Sequence, residues 1–157
     1  MTKSIPLTKG KFALVDDEDF EWLNKWKWHC NSNGYAVRFS KTIIRKAMLM
    51  HREIKNPPIG MFVDHIDGNK LNNVRKNLRY CNYQQNSANS KTPVNSSSGY
   101  KGVSRDSRRN ESWKASITVD GKQIYICTCK TPEEAARAYD EAARKYFGEF
   151  ARTNFGD

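Results

Sequence analysis

The chain has 157 residues, 38% of them hydrophobic and 28% charged, and a net charge of +10. No apolar run approaches the roughly 20 residues that span a bilayer, and residues 1–17 lack the apolar stretch of a secretory signal. This excludes a membrane protein and predicts a soluble chain of one medium or two small domains, with a cytoplasmic address.

The charge is unevenly spread. Residues 1–37 hold five Lys/Arg and five Asp/Glu, residues 38–79 ten and three, and residues 91–130 eight and three. Two basic regions predict two surfaces for a polyanion. No basic amphipathic helix points to a membrane surface. The four cysteines, Cys30, Cys81, Cys127 and Cys129, form no CxxC pair, so they are read as reduced thiols and no structural zinc is expected.

In chain order, the pattern predicts a strand at 11–15. A helix follows, with Asp16 or Asp17 as its cap and Phe20, Leu23 and Trp26 at helical spacing. Segments 28–30 and 35–39 flank Asn33-Gly34, a hairpin signal. A strand near Ile43 and a short helix at 49–54 come next, and Pro57-Pro58 ends regular structure. His51 and His29 are read as structural. Residues 63–66 and 77–81 read as strands around a polar loop, Asp67-Gly68-Asn69, and Asn82 caps a helix that carries Asn86. A Ser/Asn-rich stretch at 91–98 is read as a linker between an N-terminal region at 1–90 and a domain at 99–157.

The second part opens with a strand within residues 100–105. Two strands joined by Asp120-Gly121 follow as a type I′ hairpin. Thr131-Pro132-Glu133-Glu134 starts a helix with a capping box and proline in its first turn, and Gly148 stops it. Ala135, Ala138, Tyr139, Ala142, Ala143 and Tyr146 form its apolar stripe. Pairing Val119 with Lys122 puts Trp113, Ala115, Ile117, Ile124 and Ile126 on the helix side. Lys114, Ser116, Thr118, Gln123 and Tyr125 then face outward, as a ribbon that fits the major groove. Lys101, Arg105, Arg108 and Arg109 add a basic cluster.

The chemistry concentrates in residues 63–86. Asp64 offers a charged oxygen and Asn86 an amide oxygen, a hard pair suited to one Mg2+ or Mn2+. His65 can accept a proton from water near neutral pH. Neighbours on a strand point to opposite faces, so both serve one reaction only if the phosphate lies between them or the strand twists. These residues alone leave phosphodiester hydrolysis and a merely polar hairpin open.

DHIDGNKLNN and NLR, followed by an Asn-bearing helix, resemble the HNH or ββα-metal nuclease motif, in the variant with Asp and Asn in place of metal-binding histidines. The resemblance implies Asp64 and Asn86 as metal ligands and His65 as general base, with Asn77 tying the hairpin and orienting His65. Residues preceding the motif resemble phage and intron-encoded homing endonucleases, which implies a bacterial or phage-infected cell. Gly99–Val103 (GYKGV), the WKASI strand, EEAARAYDEAA and Asn154-Phe155 resemble the AP2 DNA-binding domain. The plant-type basic and tryptophan contacts are mostly missing, so the plant-type target is not expected.

The expected fold is therefore α+β: a small N-terminal α+β region, a ββα-metal unit, and a three-stranded antiparallel sheet backed by one helix. The expected activity is site-preferring cleavage of double-stranded DNA by a monomer or weak dimer, with Arg75 and Arg79 among the residues on phosphates. One motif cuts one strand, so a monomer nicks. The rival readings are a catalytically silent DNA-binding regulator and an RNA-processing protein.

Overall fold

Ile5, Ala13 and Val15 are buried between exposed neighbours, and that alternation makes the first hairpin. Strands β1 (Thr2–Pro6) and β2 (Phe12–Asp16) pair antiparallel. The expected strand at 11–15 is β2. Its partner was not legible because only Ile5 of β1 faces the core. The computed structural model describes residues 1–92, 95–107 and 112–156, which form two units, Met1–Asn82 and Tyr83–Asp157. The fold is α+β throughout.

In the first unit, helix α1 (Asp17–Leu23) follows β2 directly. Asp16 is its N-cap residue but makes no side-chain cap bond. Its carboxylate accepts the Arg75 backbone N–H at 2.7 Å instead. Trp26 lies beyond the helix, in a turn closed by its N–H on Leu23. Strands β3 (His29–Cys30), β4 (Ala36–Phe39) and β5 (Ala47–Leu49) form a three-stranded sheet in that order. Gly34, at φ +85°, makes the predicted turn between β3 and β4.

The strand expected near Ile43 is displaced to β5. Pairing of Val37, Arg38 and Phe39 with Leu49, Met48 and Ala47 leaves residues 40–46 as the connecting loop. Helix α2 (Met50–Lys55) comes next, then the hairpin of β6 (Phe62–His65) and β7 (Leu78–Cys81). The core gathers Ile5, Val15, Leu23, Trp28, Met50, Ile54, Val63 and Leu78.

The second unit begins with helix α3 (Tyr83–Ala88). The unit boundary thus falls before α3, earlier than the expected linker at 91–98, of which residues 93 and 94 lie outside the described residues. Strands β8 (Val103–Arg105), β9 (Trp113–Val119) and β10 (Lys122–Cys129) form the second three-stranded sheet. Asp120 and Gly121 both have positive φ, +49° and +73°, as a type I′ turn requires. Val119 pairs with Lys122, the register read from the sequence.

Helix α4 (Pro132–Phe147) backs the sheet, with Glu134 N–H on the Thr131 hydroxyl at 3.3 Å and Gly148 as its C-cap. Its buried face is Ala135, Ala136, Tyr139, Asp140 and Ala143, while Tyr146 is exposed. Asp140 is buried because it holds the C-terminal tail: its carboxylate accepts the N–H groups of Asn154 and Phe155 and the Asn154 amide. A bulge between Tyr125 and Cys127 shifts the end of β10. Cys127 and Cys129 therefore join the helix side, their sulfurs 3.3 Å apart, and all four cysteines are free.

Candidate active site

The polar loop between β6 and β7 explains why so many Asn and Asp residues fall together. Asp67 is its hub. Its Oδ1 accepts from Asn69 N at 2.7 Å and Asn77 Nδ2 at 3.0 Å, and its Oδ2 from Asn72 Nδ2 at 2.8 Å. Burial raises the Asp67 pKa, but these hydrogen bonds outweigh it and hold the carboxyl below its usual range. Asn77 also donates to the Asn72 carbonyl at 2.8 Å and accepts from Asp67 N at 3.1 Å. The loop docks on β2 through Leu14 N to Leu71 O and Asn73 N to Leu14 O, both 2.8 Å. Short polar side chains satisfy the backbone of a loop that has too few residues to make regular structure.

His65 stands at the end of β6, 4% exposed. Its Nε2 lies 3.2 Å from Asn73 Oδ1. The Asn73 amide nitrogen donates to Leu71 O at 3.2 Å, which turns Oδ1 toward the ring. Nε2 is therefore the protonated nitrogen in the neutral tautomer and Nδ1 the basic one. Burial pushes the imidazole below its usual pKa, against raising contributions from Asn73, Asp67 and Asp64, so the neutral form prevails at pH 7. His51 packs edge-on against the His65 ring, with centroids 4.9 Å apart, and Tyr35 lies 6.0 Å away. The role of His51 is packing: among the described residues its Nδ1 has no hydrogen-bond partner, and burial drives its pKa down to about 3.

Asp64 is 7% exposed and directly opposite Arg79 across the hairpin. Arg79 Nε and Nη2 donate to its Oδ2 at 3.1 and 3.0 Å. Strand alternation sends Asp64 and His65 to opposite faces. Both nonetheless act on Tyr35, whose phenol is raised by burial and then by the Asp64 charge. Asn86 lies on α3, in the second unit. Among the described residues no three His, Cys, Asp or Glu cluster as a metal cage. The donors expected here, a carboxylate and an amide, fit a hard ion that keeps its remaining positions for water and phosphate.

Several residues expected to touch DNA are engaged within the protein. Arg75 donates to both Asp19 carboxylate oxygens at 2.7 Å and pairs with Glu18 at 2.7 Å. Arg79 is committed to Asp64 as above. Lys101 is not on the outer face. Its ammonium donates to the carbonyls of Ala88 and Ser90, at the end of α3, where a cation complements the helix dipole. Burial, then Arg152, lowers its pKa to about 8.

Alternation along β8 puts Arg105 on the helix side at the sheet edge, 5.0 Å from the Trp113 ring. Arg108 and Arg109 lie outside the described residues. Lys114, Ser116, Thr118, Gln123 and Tyr125 share the outer face. There Gln123 donates to the Ser116 hydroxyl, Tyr125 donates to Thr128, and the Lys114 ammonium lies 6.0 Å from the Tyr125 ring. Thr128 joins this face through the bulge and Ser104 through its pairing with Lys114. Both were missed, as were Asn73 and Asp67. The LNN run in the loop was the one signal for Asn73.

The HNH endonuclease family model matches residues 53–88, from α2 through α3. An uncharacterized HNH endonuclease of Acanthamoeba polyphaga mimivirus is 39% identical over 152 residues, 93% of this chain and 76% of its own. Protein 3.8 of Escherichia phage T7 is 41% identical over 102 residues, 64% of this chain and 83% of its own. The C-terminal part matches plant AP2-type domains. One is an AP2-like ethylene-responsive transcription factor of Arabidopsis thaliana, 44% identical over 63 residues, 40% of this chain and 13% of its own. The chain belongs to the HNH endonuclease family, and its C-terminal part is similar to AP2-type domains. No helix among the described residues is long and apolar enough to cross a membrane.

Proposed function

We propose that the chain is a metal-dependent endonuclease that cuts one strand of duplex DNA at preferred sites. His65 Nδ1 takes the proton of a water as the water oxygen attacks the phosphorus. Asn73 holds the ring through Nε2–H in the tautomer that leaves Nδ1 basic. Asp67 and Asn77 keep the loop in shape and so fix Asn73. Asp64, steadied by Arg79, and Asn86 hold one Mg2+ or Mn2+, which supplies charge neutralisation at the phosphate when bound. The bond to the 3′ oxygen breaks, giving a 3′ hydroxyl and a 5′ phosphate.

The outer face of the β8–β9–β10 sheet meets the major groove and supplies site preference. The chain acts as a monomer or weak dimer, and a monomer nicks. Its substrate and cofactor fit a cytoplasmic setting. The observation that carries this reading is the buried His65 at the end of β6, next in sequence to Asp64 and held through Nε2 by Asn73, within the segment that the HNH family model covers.

One observation favours a catalytically silent DNA binder: Asp64 is already paired with Arg79. A supercoiled plasmid assay separates the two. The native chain relaxes the plasmid in Mg2+ and not in EDTA, while His65→Ala loses nicking at least about 100-fold and keeps duplex affinity within about threefold. Equal nicking by native chain and variant rejects His65 as base. No nicking by the native chain in either metal favours the silent binder.

A further inference from the structure

The loop joining β4 to β5 holds two adjacent isoleucines in solvent. Ile43 is 106% and Ile44 82% exposed. Single exposed apolar residues are common on protein surfaces, but here both stand at the tip of a built protrusion. Ser40 N–H donates to Lys46 O, and Lys46 N–H donates to the Ser40 hydroxyl, both at 2.9 Å, closing the base of the loop. The Thr42 hydroxyl donates to Ile44 O at 2.8 Å, shaping the tip.

Two cations flank the tip on aromatic platforms: Arg45 lies 4.4 Å from the Phe39 ring and Lys41 5.2 Å from the Trp26 ring. Residues 39–52 contain Lys41, Arg45, Lys46 and Arg52 and no Asp or Glu. A strand ladder that could have included the isoleucines excludes them, because its register ends at Phe39 and Ala47.

We propose that this loop is a wedge for duplex DNA, with Ile43 and Ile44 entering between stacked base pairs from the minor groove and Lys41, Arg45 and Lys46 seated on the flanking phosphates. The inference rests on the DNA-cleaving reading above. It adds a second point of contact in the first unit, and a reason for deformation of the DNA during recognition. Apolar wedges that part a base step enter from the minor groove and kink the duplex, and flexible steps are the cheapest to open. Cations beside the wedge hold it at the backbone without sequence preference. A bilayer or a protein partner is a separate hypothesis, and the acid-free basic flank on a DNA-cutting chain favours nucleic acid.

The test needs no knowledge of the target sequence. A closed plasmid is relaxed by a metal-independent type IB topoisomerase in EDTA, where the nuclease is silent, with the full native chain present. The DNA is then freed of protein and its topoisomers are resolved. An inserted wedge unwinds the helix, so the distribution shifts as protein is added. Ile43→Ser/Ile44→Ser, compared at equal DNA occupancy, loses that shift. Its duplex affinity falls by about three- to tenfold, with an unchanged slope of log affinity against log salt, because no charge is removed. Both isoleucines are exposed, so the variant folds, as its circular dichroism should confirm. Replacing Lys41, Arg45 and Lys46 with Gln flattens the slope by about two to three instead.

An equal shift from native chain and isoleucine variant overturns the wedge. So does native binding with no shift. Flotation of the native chain with phosphatidylglycerol–phosphatidylcholine vesicles, with no topoisomer shift, assigns the isoleucines to a bilayer and overturns it too. Absence of duplex binding overturns the DNA reading and the wedge together, whereas binding without unwinding overturns the wedge alone.

Discussion

Asn73→Ala removes the side chain that accepts from His65 Nε2. Asn73 is fully buried, so no solvent replaces its amide. Two hydrogen bonds are lost, and they are not equal. The Leu71 carbonyl keeps the Leu14 N–H at 2.8 Å, so loss of the Asn73 donor costs it about 0.5–1 kcal/mol. The Nε2–H of His65 loses its acceptor in a buried place, which costs about 1–3 kcal/mol. The variant should lose about 1.5–4 kcal/mol in all, a drop of about 0.8–2 M in the urea midpoint at a slope near 2 kcal/mol/M.

Activity should fall further than stability explains. With the ring free to rotate and to move its proton, Nδ1 is no longer held as the base, and kcat for plasmid nicking should fall about 100-fold. KM should stay within about threefold, because Asn73 has no surface to offer DNA. Nicking is measured at a urea-free temperature where the variant remains folded by circular dichroism. A folded Asn73→Ala chain that nicks within about threefold of the native rate would refute the link from Asn73 to His65.

His51 has a folded pKa of about 3 against 6.5 unfolded, so the unfolded chain binds its proton first. Its contribution to stability is full above pH 6.5 and is lost as pH falls toward 3, at up to about 1.4 kcal/mol per unit. His51→Phe should flatten that slope in urea titrations, and an unchanged slope would clear His51 of the effect. Gly102→Ala should lower the stability of the second unit by about 2–4 kcal/mol in thermal melts. The position has φ +74°, and a Cβ there would overlap the Tyr139 ring. Lys114→Ala with Tyr125→Ala should weaken duplex binding about tenfold by fluorescence anisotropy and leave the Mg2+ dependence of nicking unchanged. Full affinity and site preference in that double variant would remove the outer face from recognition.

The second unit was largely readable because its signals are local. Asp120-Gly121 fixes a turn, the turn fixes Val119 on Lys122, and the register then fixes both faces as far as Tyr125. Beyond that point a bulge, which no residue type announces, turned Cys127 and Cys129 inward and Thr128 outward. The HNH segment was readable as a list of chemical groups but not as a network. The family resemblance implied that Asn77 ties the hairpin and orients His65; the ring bonds to Asn73, and Asn77 bonds Asp67 and Asn72 within the loop.

The difference lies in loop geometry. Asn73 reaches the ring because its backbone N–H is held by Leu14 on β2, a contact between residues 59 positions apart that no local pattern encodes. The same limit explains Arg75 and Arg79. In sequence they are two more cations in a basic region, and only the fold brings Asp19 and Asp64 against them. Positive charge counted along a chain therefore overstates what is offered to DNA. Arg75 and Arg79 spend their charge on internal carboxylates and Lys101 spends its on helix carbonyls. Lys41, Arg45 and Lys46 have no carboxylate partner among the described ion pairs and stand around Ile43 and Ile44. The cations of the first unit thus differ in what they meet: Arg75 and Arg79 face carboxylates, whereas no described ion pair engages the three cations of the β4–β5 loop.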